Sequence, residues 1–123
     1  MTNLYIAPTN KTPEIEFKTT GEFRIAGNSY PENVTEFYQP VINWLDKFLR
    51  SNIDGISLNV DLKYINTSSI KSILNVIIKI RTLSKSTVKV AWLYEIEDED
   101  MFEAGEDLQK LSKLEFEFIE KQE

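Results

Sequence analysis

The chain has 123 residues and contains neither cysteine nor histidine. Disulfides, thiolate metal sites and cysteine nucleophiles are therefore excluded, together with the commonest general base and the commonest zinc ligand. With 14 basic against 20 acidic residues the formal charge is −6, which disfavours nucleic acid and anionic membranes as main partners, since both attract a positive face.

A chain of this length supports one core, and burying roughly two thirds of its unfolded surface stabilises it without staples. A hydrophobic share of 41% with 11% aromatic residues excludes wholesale disorder. No apolar run approaches the ~20 residues of a membrane span. Met1 to Asn10 lack the basic and apolar regions of a secretory leader. A cytoplasmic location is the resulting expectation.

Residues 1–12, with Pro8 and Asn10, read as a flexible N-terminal arm, and residues 13–123 as a single domain. Ile15 and Phe17 alternate with Glu16 and Lys18, and Phe23 and Ile25 alternate with Arg24 and Ala26. Thr19-Thr20-Gly21-Glu22 between them supplies turn residues, so a β-hairpin is predicted. Val34, Phe37, Tyr38, Val41, Leu45, Phe48 and Leu49 then recur at spacings of three and four, the stripe of an amphipathic helix. Pro31 suits a first helical turn, and Asn33 with Glu36 resembles a capping box. Pro40 removes a donor inside the pattern and predicts a kink, or a short helix followed by a longer one.

Ser51 to Gly55 read as a loop, followed by a strand carrying Ile56, Leu58, Val60 and Leu62. A helix over about 68–83 turns Ile70, Ile73, Leu74, Ile77 and Ile80 inward. Val88, Val90, Trp92 and Tyr94 mark the next strand, and a helix over about 98–111 presents Met101, Ala104, Leu108 and Leu111. Its acidic start and basic end suit the helix dipole, and Gly105 within it suggests close approach to the sheet. Leu114, Phe116 and Phe118 form the last strand. Off-core strand residues such as Ser57, Asn59, Asp61, Lys89 and Glu117 are mostly polar, whereas a sheet covered on both faces carries nearly continuous apolar strands. The predicted fold is α/β, a mixed sheet of about five strands with about three helices mainly on one face.

Tyr64-Ile65-Asn66-Thr67-Ser68-Ser69 joins a strand to a helix, placing three hydroxyls and an amide where free backbone N–H groups collect. On spacing alone, Thr67 or Ser68 is a helix cap contributing about 1 kcal/mol. The sharper alternative is a phosphorylation site, with the dianion at the positive helix end. Glu95, Glu97, Asp98, Glu99 and Asp100 form a second group, read as a solvated loop and helix start, because it lacks the oxygen-ligand spacing and turn glycine of a calcium loop. No metal or other cofactor is expected. A right-handed crossover between the strands flanking the 68–83 helix puts Thr67 and this acidic loop at the same sheet edge. Tyr38 and Trp92 belong to core stripes. Tyr30 and Trp44 lie off them and are candidate anchors for a partner, as exposed aromatics often are.

Four separated segments then resemble the SiaC family of regulatory phosphoproteins: Ser29 to Asn33, Phe37 to Leu45, Leu62 to Ser69, and Asp98 to Asp107. The resemblance runs from about Pro13 to Leu108. It implies a fold similar to STAS domains, the class of anti-sigma-factor antagonists, and a binding function without catalysis. It also implies a partner switch, in which a serine/threonine kinase phosphorylates the protein and a PP2C-type phosphatase reverses it. The unphosphorylated form is then expected to bind and activate a diguanylate cyclase, tying the switch to cyclic di-GMP and biofilm control. The family's phosphoacceptor corresponds to Thr67, with Ser68 and Ser69 as minor candidates. Partner contacts are expected at Tyr30, Trp44, Asn66, Thr67, Ser68, Glu97 and Asp98. Two rivals belong to other classes: a STAS-like small-molecule sensor, which needs a sizeable apolar pocket, and an enzyme using Glu97, Asp98 and Asp100.

Overall fold

The computed structural model describes residues 1–51 and 54–122. Among these, the elements in chain order are β1 (Leu4–Ile6), β2 (Glu14–Phe17), β3 (Glu22–Ser29), α1 (Val34–Phe48), β4 (Gly55–Ile65), α2 (Thr67–Leu83), β5 (Thr87–Tyr94), α3 (Glu99–Ser112) and β6 (Phe116–Glu120). Of the loop expected over Ser51 to Gly55, Asn52 and Ile53 lie outside the described residues.

The strands lie side by side in chain order. β1, β2 and β3 are antiparallel neighbours, and β3, β4, β5 and β6 are parallel. Each parallel pair is joined through one helix. Crossovers of one hand, advancing in one direction, put all three helices on the same face of the sheet. Strand alternation shows which face that is: Phe23, Ile25, Ile56, Leu58, Val60, Leu62, Val90 and Trp92 are buried beneath the helices. Arg24, Ser57, Asn59, Lys89 and Glu117 are exposed on the opposite face. The mixed sheet with one wet face is thus as expected, with Tyr38 and Trp92 in the core.

Three local readings are corrected. The sheet has six strands rather than about five, because Leu4–Ile6, placed in the flexible arm, pairs with Ile15–Phe17. α1 runs as one helix through Pro40. Pro40 and Glu36 are both exposed, so the carbonyl deprived of its partner is open to water and the helix tolerates the loss. The Asn33 side chain caps α1 by accepting from the Glu36 backbone N–H at 3.0 Å, while its amide donates to the Glu36 carboxylate at 3.2 Å. On α3 the buried stripe is Met101, Ala104, Gly105, Leu108 and Ser112. Leu111 stands outside it and is 59% exposed.

Gly105 carries the close approach expected of it. A Cβ at this position meets Trp92 Cδ1 at 2.5 Å and Phe118 Cε1 at 2.8 Å, so only hydrogen fits between α3 and the sheet. The Trp92 indole N–H donates to the Met101 carbonyl at 2.9 Å, fixing the helix above it.

Candidate functional site

The site is built at the edge where the parallel strands end. β4 continues to Ile65 beyond its last partner on β5, where Asp61 faces Leu93. Its extension is held by β3 alone, and there the register changes. Gly27 faces Leu62, but Asn28 faces Tyr64 and Ser29 faces Ile65, leaving Lys63 as an extra residue in β4. Gly27 at this step adopts φ +113°, a conformation that disfavours side chains. A single inserted residue exchanges the two faces of everything after it. Unbroken alternation from Leu62 directs Tyr64 under the helices. Instead Ile65 packs toward the core, and Tyr64 is 54% exposed.

Asn66 follows in extended backbone (φ −90°, ψ 169°), and its side-chain oxygen accepts from the Ser69 backbone N–H at 2.9 Å. Asn66 is therefore the cap of α2, and Thr67 and Ser68 are not. Thr67 is the first residue of the helix, exposed, with a hydroxyl that makes no hydrogen bond among the described residues. Ser68 is exposed as well. The first turn of α2 carries no acidic residue, so its positive dipole end is not neutralised by the helix's own side chains.

Ser69 differs from its neighbours. It is wholly buried, and its hydroxyl accepts from Ser29 Oγ at 2.8 Å, while Ser29 Oγ lies 2.6 Å from Tyr38 Oη. A kinase cannot reach it in this fold, which removes it from the minor acceptors. The backbone N–H of Asn66 also donates to the Ser29 carbonyl at 3.0 Å. Burial pushes the Tyr38 phenol up to about 12, against a smaller lowering by the Ser29 bond. The turn bearing Thr67 is thus tied to β3 and, through Ser29, to α1.

Tyr30, half-buried, meets Tyr64 edge to face with ring centroids 5.4 Å apart. The loop holding Tyr30 is anchored by its N–H on the Lys11 carbonyl, and Lys11 Nζ lies 2.9 Å from Glu32. That hydrogen bond, then the charge of Lys11, holds the Glu32 carboxyl below its usual range. Trp44, the other expected anchor, is used internally. It stacks on Phe48, meets Phe17 and Phe23 edge to face, and donates its indole N–H to the Thr2 carbonyl at 2.9 Å.

The β5–α3 loop reaches the same edge, because β4 and β5 are parallel. Asp98 is the cap of α3, accepting from the Met101 N–H at 3.0 Å. Glu97 is exposed, and so is Ile96, at 70%. Among the described residues no three acidic side chains are grouped so as to hold a metal ion. Tyr64 and Ile96 escaped the sequence reading, since an inserted residue and an exposed isoleucine leave no periodic signal. A hollow of about 520 Å³ lies open between α1 and α2, lined partly by Ile42, Ile78 and Leu83, well along α2 from Thr67. No helix among the described residues is long and apolar enough to cross a membrane.

Residues 6–121, which include all of this edge, match the family described as SiaC family regulatory phosphoprotein. The chain belongs to that family. A Pseudomonas aeruginosa (strain UCBPP-PA14) protein described as uncharacterised is 31% identical over 113 residues, covering 89% of this chain and 90% of its own. Crystallographic apo-SiaC of P. aeruginosa superposes with a TM-score of 0.85 at 29% identity, over 99% of this chain and 100% of that one. A chain of the crystal structure of diguanylate cyclase SiaD in complex with its activator SiaC gives 0.87 at 29% identity, over 96% and 99%. The six-stranded mixed sheet and three helices are thus the architecture of SiaC structures. This chain is a regulatory protein and not an enzyme.

Proposed function

We propose that this protein is a phosphorylation-controlled activator of a diguanylate cyclase, with Thr67 as the switch. A serine/threonine kinase transfers the γ-phosphoryl group of ATP to Thr67 Oγ1, releasing ADP and a proton. A PP2C-type phosphatase passes it to water as orthophosphate. The unmodified form binds the cyclase and raises cyclic di-GMP synthesis; in support, SiaC of P. aeruginosa is the activator of the diguanylate cyclase SiaD and forms a complex with it.

The observation that carries this reading is the division of labour at the start of α2. Asn66 does the capping, which leaves the Thr67 hydroxyl exposed and without an internal bond. A phosphate there adds about −1.5 to −2 charge beside free N–H groups, so the fold accepts it. Repulsion from the acidic β5–α3 loop is screened and worth only ~1 kcal/mol. The larger penalty falls on a partner packed over Thr67, which has to bury a dianion. Phosphate therefore acts by blocking docking. Ser68, exposed beside Thr67, remains the minor acceptor.

The test is phosphopeptide mapping of the protein from its own cells, with and without PP2C treatment. Phosphate on Thr67 that the phosphatase removes supports the switch. A chain unmodified under every growth condition leaves Thr67 an ordinary first helical residue.

A further inference from the structure

Where on the surface the effector docks is not fixed by the phosphosite, since Thr67 borders both the helices and the open face of the sheet. We infer that the effector docks over the sheet edge and its helix-free side, gripping Tyr64 and Ile96, with a segment carrying apolar side chains flanked by Lys or Arg. This rests on the activator reading given above and specifies its partner surface.

The first support is the extra residue in β4. Without the bulge at Lys63, alternation carries Tyr64 under the helices and Ile65 outward. With it, the ring emerges on the helix-free face, braced edge to face by Tyr30. Exposing a large aromatic ring loses the stabilisation that burial provides. A ring held rigidly at the surface loses little conformational freedom on binding, which makes it a favourable anchor.

The second support is Ile96 in the adjacent loop. It belongs to the large hydrophobic side chains the fold leaves exposed, and it is the most exposed of them at 70%. Its neighbours are Glu95, Glu97 and Glu99, all exposed, and none is among the salt-bridge partners of the described residues. Apolar anchors beside unpaired carboxylates complement a segment that is apolar and basic, with the charges steering the encounter. The α1–α2 hollow lacks this character: its Lys79 is already paired with Asp46.

The test measures binding of the unmodified full chain to purified diguanylate cyclases of its own organism, with substitutions on each surface. Tyr64→Ala and Ile96→Ala are expected to weaken binding tenfold or more each. Joint replacement of Glu95, Glu97 and Glu99 by Gln is expected to slow association and flatten its salt dependence. Ile78→Ala, in the α1–α2 hollow, is expected to bind as wild type does. Binding that survives Tyr64→Ala and Ile96→Ala but falls with Ile78→Ala overturns this surface while leaving the activator reading intact. Binding indifferent to all of these changes overturns it as well. Absence of binding by the wild-type chain to every cyclase overturns both readings together.

Discussion

The hydroxyl oxygens of Ser29 and Ser69 lie 2.8 Å apart, both wholly buried, where the end of β3 passes beneath the first turn of α2. The pair is extended to α1 by Tyr38, whose Oη is 2.6 Å from Ser29 Oγ. Three polar groups are thereby satisfied inside the core, and three elements are locked at the turn that presents Thr67. Ser69→Ala is expected to cost about 1–2 kcal/mol, read as a lower urea midpoint, because Ser29 loses one partner and keeps the other. Ser69→Asp is expected to be far more disruptive, since it buries an unpaired charge. Near-neutral stability of Ser69→Asp contradicts the burial described here.

Tyr38 makes this network pH-dependent. Its folded pKa is raised to about 12 from the model-peptide value of 10.0. Above pH 10 the unfolded chain releases this proton first, so the unfolded state is favoured as pH rises. The stability from a neutral buried phenol is full below pH 10 and is lost toward pH 12, by up to about 3 kcal/mol. Tyr38→Phe lacks this group, so wild type is expected to lose more stability than the variant across that window. Parallel curves for the two proteins contradict the assignment.

Capping is the next test. Asn66→Ala is expected to cost about 1 kcal/mol, and Thr67→Ala less than about 0.5 kcal/mol. Urea unfolding of both variants decides between them. The reverse order makes Thr67 the cap and removes the structural reason for its free hydroxyl.

Gly105→Ala sets helix propensity against space. Alanine gains about 1 kcal/mol in a helix interior, but its Cβ falls 2.5 Å from Trp92 Cδ1. Overpacking typically costs about 1–3 kcal/mol, and Trp92 is wholly buried and tethered to Met101. Net destabilisation with altered tryptophan fluorescence is expected. A more stable variant shows that α3 moves off the sheet freely.

Much of the fold was legible because one face of each long strand is buried and the other wet. Alternation at Ile56, Leu58, Val60 and Leu62, and the helical stripe through Tyr38, Val41 and Leu45, carried periods that reach the structure unchanged. β1 was illegible: three residues make no period, and their pairing to β2 is a tertiary event. The capping residue was blurred because Asn66, Thr67 and Ser68 are all competent caps and only the backbone selects one. Tyr64 was hidden by a register change that a lone lysine does not announce. Trp44 lay off the helix stripe, yet Phe48, Phe17 and Phe23 pack against its ring and the Thr2 carbonyl accepts its N–H, so distance from the stripe did not mean exposure. Thr67 as acceptor came from resemblance to the SiaC family, and its exposure and free hydroxyl accord with that role.

The most direct test of the proposed switch is cyclic di-GMP synthesis by a purified diguanylate cyclase of the same organism, with the unmodified protein and its Thr67-phosphorylated form side by side. The account predicts activation by the unmodified form, little or none by the phosphorylated form, and recovery after PP2C treatment. Equal activation by both forms, or activation by the phosphorylated form alone, contradicts it.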